Sequence, residues 1–200
     1  MDAALFVRQH TEPAVVPLVP EIRVYTASEV TPVWSELTSI PYWCVPWAGG
    51  QALARYVLDH PDTVRDKRII DFGTGSGLVA IAAKMAGAAH VLAVDIDRFA
   101  TAAARENAAL NGITIDEVRT EDIVGTPRDE TILAGDVWYE EAPATRCDAW
   151  FRTLATRILT GDPGRVYVPI DLHELARYDV PTTLELESAP KKTTRILTYG

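Results

Sequence analysis

The sequence predicts a single α/β domain, a mostly parallel sheet with helices on both faces and an antiparallel hairpin at its C-terminal end. Three observations predict it. The apolar run Arg68-Ile69-Ile70-Asp71-Phe72 passes through Gly73, Gly75 and Gly77 into an Ala-rich helical run that extends to about Lys84. From there strand and helix patterns alternate over 68–72, 78–86, 91–95 and 98–110, the order of a parallel βαβαβ half. Residues 182–187 and 193–199 alternate apolar with polar across Ser188-Ala189-Pro190-Lys191-Lys192, the pattern of a closing hairpin.

Two hundred residues with 48% hydrophobic and 24% charged content fit one domain over 1–200 with a full core. The longest apolar runs fall short of the ~20 residues that a membrane helix needs. The N-terminus shows no basic region followed by an apolar core and a cleavage site, so the expectation is a cytoplasmic protein without a membrane partner. Cys44 and Cys147 form no C-x-x-C pair and no His/Cys cluster, which points to a reducing compartment, no disulfide framework and no metal. A net charge of −9 argues against nucleic acid as a partner, because that affinity comes mostly from Lys and Arg neutralising phosphates. A cationic or neutral substrate fits better.

In chain order, residues 1–40 read as an N-terminal extension. Pro13, Pro17 and Pro20 break any continuous helix and suggest an extended arm, followed by a short strand over 22–25 and a turn over 34–37. The loop Pro41-Tyr42-Trp43-Cys44-Val45-Pro46-Trp47-Ala48-Gly49-Gly50-Gln51 then opens a helix over 51–58 that His60-Pro61 stops. Two readings of its tryptophans stand side by side: core that plugs the end of the sheet, or a wall and lid over a ligand. Beyond the helix over 98–110, Asn111-Gly112 is a left-handed stop. Strands are expected over 113–119, 131–136 and 165–170, with a helix over 143–159.

The glycine turn carries the chemistry. Gly73, Gly75 and Gly77 let the backbone turn sharply and approach a ligand, and the N–H groups opening the helix face that ligand. Asp95 ends the next apolar run 22 residues beyond Gly73, the place of a carboxylate that accepts both ribose hydroxyls of an adenosine. The spacing is G-x-G-x-G, and Asp71 stands two positions before the first glycine, awkward beside a pyrophosphate but comfortable beside an ammonium and a sulfonium. Asp122 follows the next strand, where a carboxylate can accept a hydrogen bond from the adenine amino group. This set resembles a class I methyltransferase. The resemblance implies S-adenosyl-L-methionine as cofactor and a Rossmann-like, seven-stranded sheet whose last two strands are the hairpin. Trp47, Gly50 and Gln51 on the aromatic loop, and Ile96 beside Asp95, are further candidates on the cofactor side.

In an open α/β sheet ligands bind beyond the carboxyl ends of the strands, so the end of the 131–136 strand should face the transferred group. Asp136-Val137-Trp138-Tyr139 there resembles the D-x-x-Y signature of seven-strand protein lysine methyltransferases. Pro41-Tyr42-Trp43, Pro46-Trp47-Ala48-Gly49-Gly50-Gln51-Ala52-Leu53, Arg55-Tyr56, Gly135-Asp136-Val137-Trp138-Tyr139-Glu140-Glu141 and Gly161-Asp162-Pro163-Gly164-Arg165 together resemble the electron-transfer-flavoprotein β-subunit lysine methyltransferases. That resemblance covers most of 40–170 and implies a protein substrate, the flavoprotein β subunit. Trp138 and Glu140 stand where animal relatives are expected to carry Phe and Asp. On this reading Asp136 and Tyr139 are the catalytic candidates, and Trp43, Trp138 and Glu140 the substrate-binding ones, Asp136 docking and aligning the lysine. The segments 71–77, 95–97 and 106–112 are also similar to the ribosomal protein L11 methyltransferases. A nicotinamide-type small-molecule N-methyltransferase and a non-catalytic adenosyl-binding module would carry the same glycine turn and carboxylates.

Overall fold

The computed structural model describes residues 1–182 and 189–199. The N-terminal region does not form the expected extended arm. Ala3–His10 is a helix, α1, because the Asp2 carboxylate caps it by accepting from the N–H groups of Ala4 and Leu5 at 3.0 and 3.2 Å. All three prolines lie beyond that helix, in an antiparallel pair of strands, β1 (Glu12–Val16) and β2 (Val19–Thr26), and in the turn between them. Val16, Val19, Ile22 and Val24 bury against the domain. A short helix, α2, covers Val30–Trp34, and α3 covers Ala48–Asp59, opening three residues before the sequence places it.

The βαβαβ half forms as its pattern predicts: β3 (Arg68–Phe72), α4 (Leu78–Met85), β4 (His90–Asp95) and α5 (Arg98–Leu110). Asp97 caps α5 by accepting from Phe99 N at 2.8 Å, and Gly112 takes the left-handed conformation past its end at φ +65°. The next strand, β5, spans only Glu117–Thr120. Before it, Ile115 is buried and Asp116 accepts from Val91 N at 2.8 Å, so these residues serve as a loop.

Beyond β6 (Thr131–Gly135) three expectations are corrected. The expected helix over 143–159 is α6 at Glu141–Phe151, and its last two residues, Ile158 and Leu159, instead open strand β7 (Ile158–Asp162). All five residues of β7 are buried, which suits a central strand and no amphipathic helix. The expected strand over 165–170 is a loop in which Val166 and Ile170 are exposed. The hairpin pairs β8 (His173–Pro181) with β9 (Lys191–Thr198), so its first strand lies earlier than the alternation suggests. Most of the expected 182–187 strand falls outside the described residues.

The seven strands run in the order β5-β4-β3-β6-β7-β9-β8, parallel except at β9, which is antiparallel to both neighbours. The two-residue period of a strand splits the core between the faces. Ile69, Leu133 and Leu159 join α3 and α4 on one side, while Ile70, Ile132 and Ile158 join Trp150 and Phe151 of α6 on the other. Leu78–Ala83 is wholly buried, and its small side chains let α4 lie close to both α3 and the sheet. Strand order reverses between β3 and β6, which is where a ligand crevice belongs.

Candidate active site

At that reversal the glycine turn takes positive φ at Gly73 (+63°), Gly75 (+51°) and Gly77 (+78°), values that strain any residue carrying a Cβ. Gly77 also packs: a Cβ there would stand 2.8 Å from the Ala104 Cα of α5. A cleft open to solvent lies over the turn. Of the candidate cofactor residues, Trp47, Gly50, Asp71, Gly73 and Gly75 line it, joined by Tyr42, Thr74 and Gly135.

Two acids face this region. Asp71 is buried, and its Oδ2 accepts from Thr74 Oγ1 and, at 3.0 Å, from Ala80 N in the first turn of α4. Burial outweighs those bonds and pushes its carboxyl up to about 7. Asp95 ends β4 and accepts from Gly75 N and Asp97 N, each at 3.0 Å, and burial raises its carboxyl as well. Neither is ion-paired among the described residues, so a cationic ligand would relieve both. Ile96 lies beside Asp95, 77% exposed. Asp122 follows β5, where its carboxylate accepts from Arg146 at 2.6 Å and from Val124 N at 3.1 Å; the Arg146 bond holds it below the usual carboxylate range.

On the opposite wall α3 starts over the ends of β6 and β7. Glycines make this possible: a Cβ on Gly161 would meet Gly49 O at 2.0 Å, and one on Gly135 would meet the Gly50 Cα at 2.8 Å. Asp136, in a left-handed conformation (φ +59°), is buried at 7% exposure and accepts from Gly49 N at 3.2 Å. Arg165 forks onto it, donating from Nε to Oδ1 at 2.7 Å and from NH2 to Oδ2 at 3.0 Å. Tyr139 is 42% exposed, its ring 4.7 Å from that of Tyr42, whose hydroxyl donates to Glu140 Oε1 at 3.3 Å. Burial, together with Tyr42, Glu140 and Asp95, holds the Tyr139 phenol far above its ordinary value, so it stays a protonated hydroxyl.

Gly77, Asp95, Ile96, Asp122, Asp136, Tyr139 and Glu140 stand around the cleft without lining it, and three further predicted site residues turn away from it. Gln51 turns away from it, accepting from Leu18 N at 3.2 Å and donating to Pro46 O at 2.6 Å, and so ties the aromatic loop to the β1–β2 turn. Trp43 packs at 1% exposure with Phe6 and Phe99, the core reading of that tryptophan. Trp138 is wholly buried under the site; its Nε1 donates to Thr160 Oγ1 at 2.9 Å and its ring meets the edge of Phe151. Conversely, Gly49, Gly135, Gly161 and Arg165, quoted above only for the family resemblance and not as site residues, join the site. Their signals were the Gly49-Gly50 pair and the Gly/Pro turn ahead of Arg165. Among the described residues no cluster of His, Cys, Asp and Glu could hold a metal, and no helix is long and apolar enough to cross a membrane.

The family model for ribosomal protein L11 methyltransferase (PrmA) matches residues 51–134. Over most of the chain it is similar to electron transfer flavoprotein beta subunit lysine methyltransferases. The protein from Rattus norvegicus is 39% identical over 180 residues, 82% of this chain and 71% of the relative. That from Xenopus laevis is 37% identical over 199 residues, 92% of this chain and 81% of the relative. Among solved structures, magnesium protoporphyrin IX methyltransferase from Synechocystis PCC 6803 with bound SAM superimposes with a TM-score of 0.55 at 17% identity, covering 74% of this chain and 77% of that one. The fold is that of the class I methyltransferases, and the chain belongs to the electron transfer flavoprotein beta subunit lysine methyltransferase family.

Proposed function

We propose that the protein transfers a methyl group from S-adenosylmethionine to a lysine nitrogen of a protein, the β subunit of an electron transfer flavoprotein. One observation carries the choice of substrate class. The likeness to the flavoprotein enzymes runs through 180 to 199 residues, whereas the L11 methyltransferase match ends at 134, two residues before Asp136. The L11 match therefore covers the cofactor half that many methyltransferases share and leaves out the half that would meet the acceptor.

The residues present fit the cofactor. The turn at Gly73 and Gly75 gives the backbone a close approach, and Trp47 and Gly50 form the facing wall. Asp71 would take the ammonium on Oδ1, since its Oδ2 already holds Thr74 and Ala80. Asp95 would hold the ribose, Ile96 would cover the base and Asp122 would reach the adenine amino group beside Arg146. When bound, S-adenosylmethionine supplies a methyl on a positively charged sulfur. The chain must then present a neutral amine, and with a free lysine pKa near 10.4 that costs about 4 kcal/mol at pH 7.4. Tyr139 and Tyr42 would wall the amine's approach, excluding water and so favouring the uncharged form. Glu140 would meet the basic surface around the lysine. Asp136 would align the nitrogen.

The test is incubation of the protein with labelled S-adenosylmethionine and purified flavoprotein β subunit. Label should enter the β subunit and vanish when its acceptor lysines become arginine, which keeps the charge but offers no neutral amine. Label in ribosomal protein L11 and none in the flavoprotein, or label only among small metabolites, would overturn the assignment.

A further inference from the structure

We propose that Arg165 is a positioning residue that cancels the charge Asp136 presents to the acceptor nitrogen. The proposal rests on the reading of Asp136 as the group that faces the amine. A lone carboxylate there would oppose the reaction, because an anion within about 4–6 Å of an amine stabilises its ammonium form by about 1–3 pKa units. The surroundings would add to that effect. Asp71 and Asp95 stand at the ends of β3 and β4, and Glu140 and Glu141 follow Tyr139 into α6. The phenols of Tyr42 and Tyr139 are neutral, and the start of α3 brings no charged side chain. Arg165 is the cation that contacts Asp136, through two bonds of its fork at 2.7 and 3.0 Å.

The guanidinium is set in place before any substrate arrives. Asp162, wholly buried at the end of β7, accepts from Gly164 N at 3.0 Å and from Arg165 N at 2.9 Å, fixing the turn from which Arg165 reaches back. Arg195 of β9 neutralises Asp162 at 2.6 Å, so that acid adds no net charge to the site. Among the described residues Asp136 accepts three bonds, from Arg165 Nε, Arg165 NH2 and Gly49 N, which leaves about one of a carboxylate's four acceptor positions for an amine N–H. A paired Asp136 thus still orients the nitrogen by a hydrogen bond while exerting little pull toward its protonated form.

The experiment compares wild type, R165Q and R165M on the purified flavoprotein subunit from pH 6.5 to 9.5 (roughly one lysine titration), with S-adenosylmethionine affinity measured by calorimetry. With cofactor affinity retained, both variants should move the acidic limb of kcat upward by about one unit. The loss of about tenfold near pH 7.5 should then recover toward wild type at the alkaline end. A loss that is the same at every pH would mark Arg165 as merely structural, and an unchanged profile would remove it from the reaction; either overturns the proposal. So would loss of cofactor binding in both variants, which would make Arg165 a folding residue. D136N run in parallel separates the two readings. Full activity in D136N removes Asp136 from the reaction, whereas an inactive D136N beside an unshifted R165Q overturns the role of Arg165 alone.

Discussion

Gly161→Ala tests the junction that holds the wall proposed to meet the acceptor. Gly161 lies in β7 against the first turn of α3, and the new Cβ would stand 2.0 Å from Gly49 O, 2.8 Å from Gly49 C and 3.1 Å from its Cα. All three are backbone atoms, so no side chain can swing aside, and a carbon–oxygen contact relaxes only near about 3.3 Å. The start of α3 must move by more than about 1 Å. Overpacking costs about 1–3 kcal/mol, and a backbone clash of this size belongs at the upper end. About 3 kcal/mol corresponds to a melting temperature lower by about 6–12 °C in a chain of this length. Catalysis should suffer further, because Gly49 N donates to Asp136 Oδ2 and Asp136 N donates to Gly161 O, and a misplacement of about 1 Å can cost about 100-fold. Gly50→Ala is the matched control. It sits in the same helix with nothing within 4 Å of its Cβ, so alanine should raise stability by about 0.5–1 kcal/mol, and any loss of cofactor affinity reports crowding of the cavity wall. Thermal melts and calorimetry on both proteins decide the matter. A G161A protein that melts within about 2 °C of wild type would refute the reasoning.

Asp71→Asn addresses burial of charge. The folded-state value of Asp71 is raised to about 7, so its contribution is fully present below about pH 4 and lost as pH rises through 7, amounting to about 4 kcal/mol. The stability of D71N relative to wild type, from urea melts, should therefore improve between pH 5 and 8, and a constant difference would contradict the burial argument. Asp95→Ala should weaken S-adenosylmethionine binding by about 1.5–3 kcal/mol for each ribose bond lost, and unchanged affinity by calorimetry would remove Asp95 from the ribose.

The parts of the fold that could be read from sequence are those whose signals are local. Arg98–Leu110 needs only Asp97 as a cap, an apolar stripe and Gly112 as a stop, all within a few turns. Residues 68–95 likewise carry strand, turn, helix and strand in one stretch. The misread segments fail for physical reasons that differ. In β7, Thr160, Gly161 and Asp162 are as buried as Ile158 and Leu159, but only a sheet with β6 on one side and β9 on the other makes such residues interior. Asp162 tolerates that burial through Arg195, 33 residues away. β8 is an edge strand and mostly exposed, so its alternation is faint. In the N-terminal segment three prolines outweighed one Asp2 cap, although a helix of eight residues leaves them all beyond its end.

The candidate site divides along the same line. Asp71, Asp95 and the glycines are placed by one βαβ unit, so spacing alone positions them. The side proposed for the acceptor joins three segments distant in sequence, and its one local motif does not give the side-chain directions, because the positive φ at Asp136 turns the chain there. Alternation across Asp136-Val137-Trp138-Tyr139 therefore does not predict which ring faces out: Trp138 goes into the core onto Thr160, and Tyr139 stays at the surface against Tyr42. What fixes the geometry is the contact between Gly49 and Gly161, 112 residues apart, which brings the first turn of α3 down onto β7. That approach aims Gly49 N at Asp136, and the turn after β7 supplies Arg165 to the same carboxylate. A glycine pair and an ion pair thus act as one device. The missing side chains allow the backbone approach, and the approach makes a buried carboxylate tolerable by surrounding it with donors.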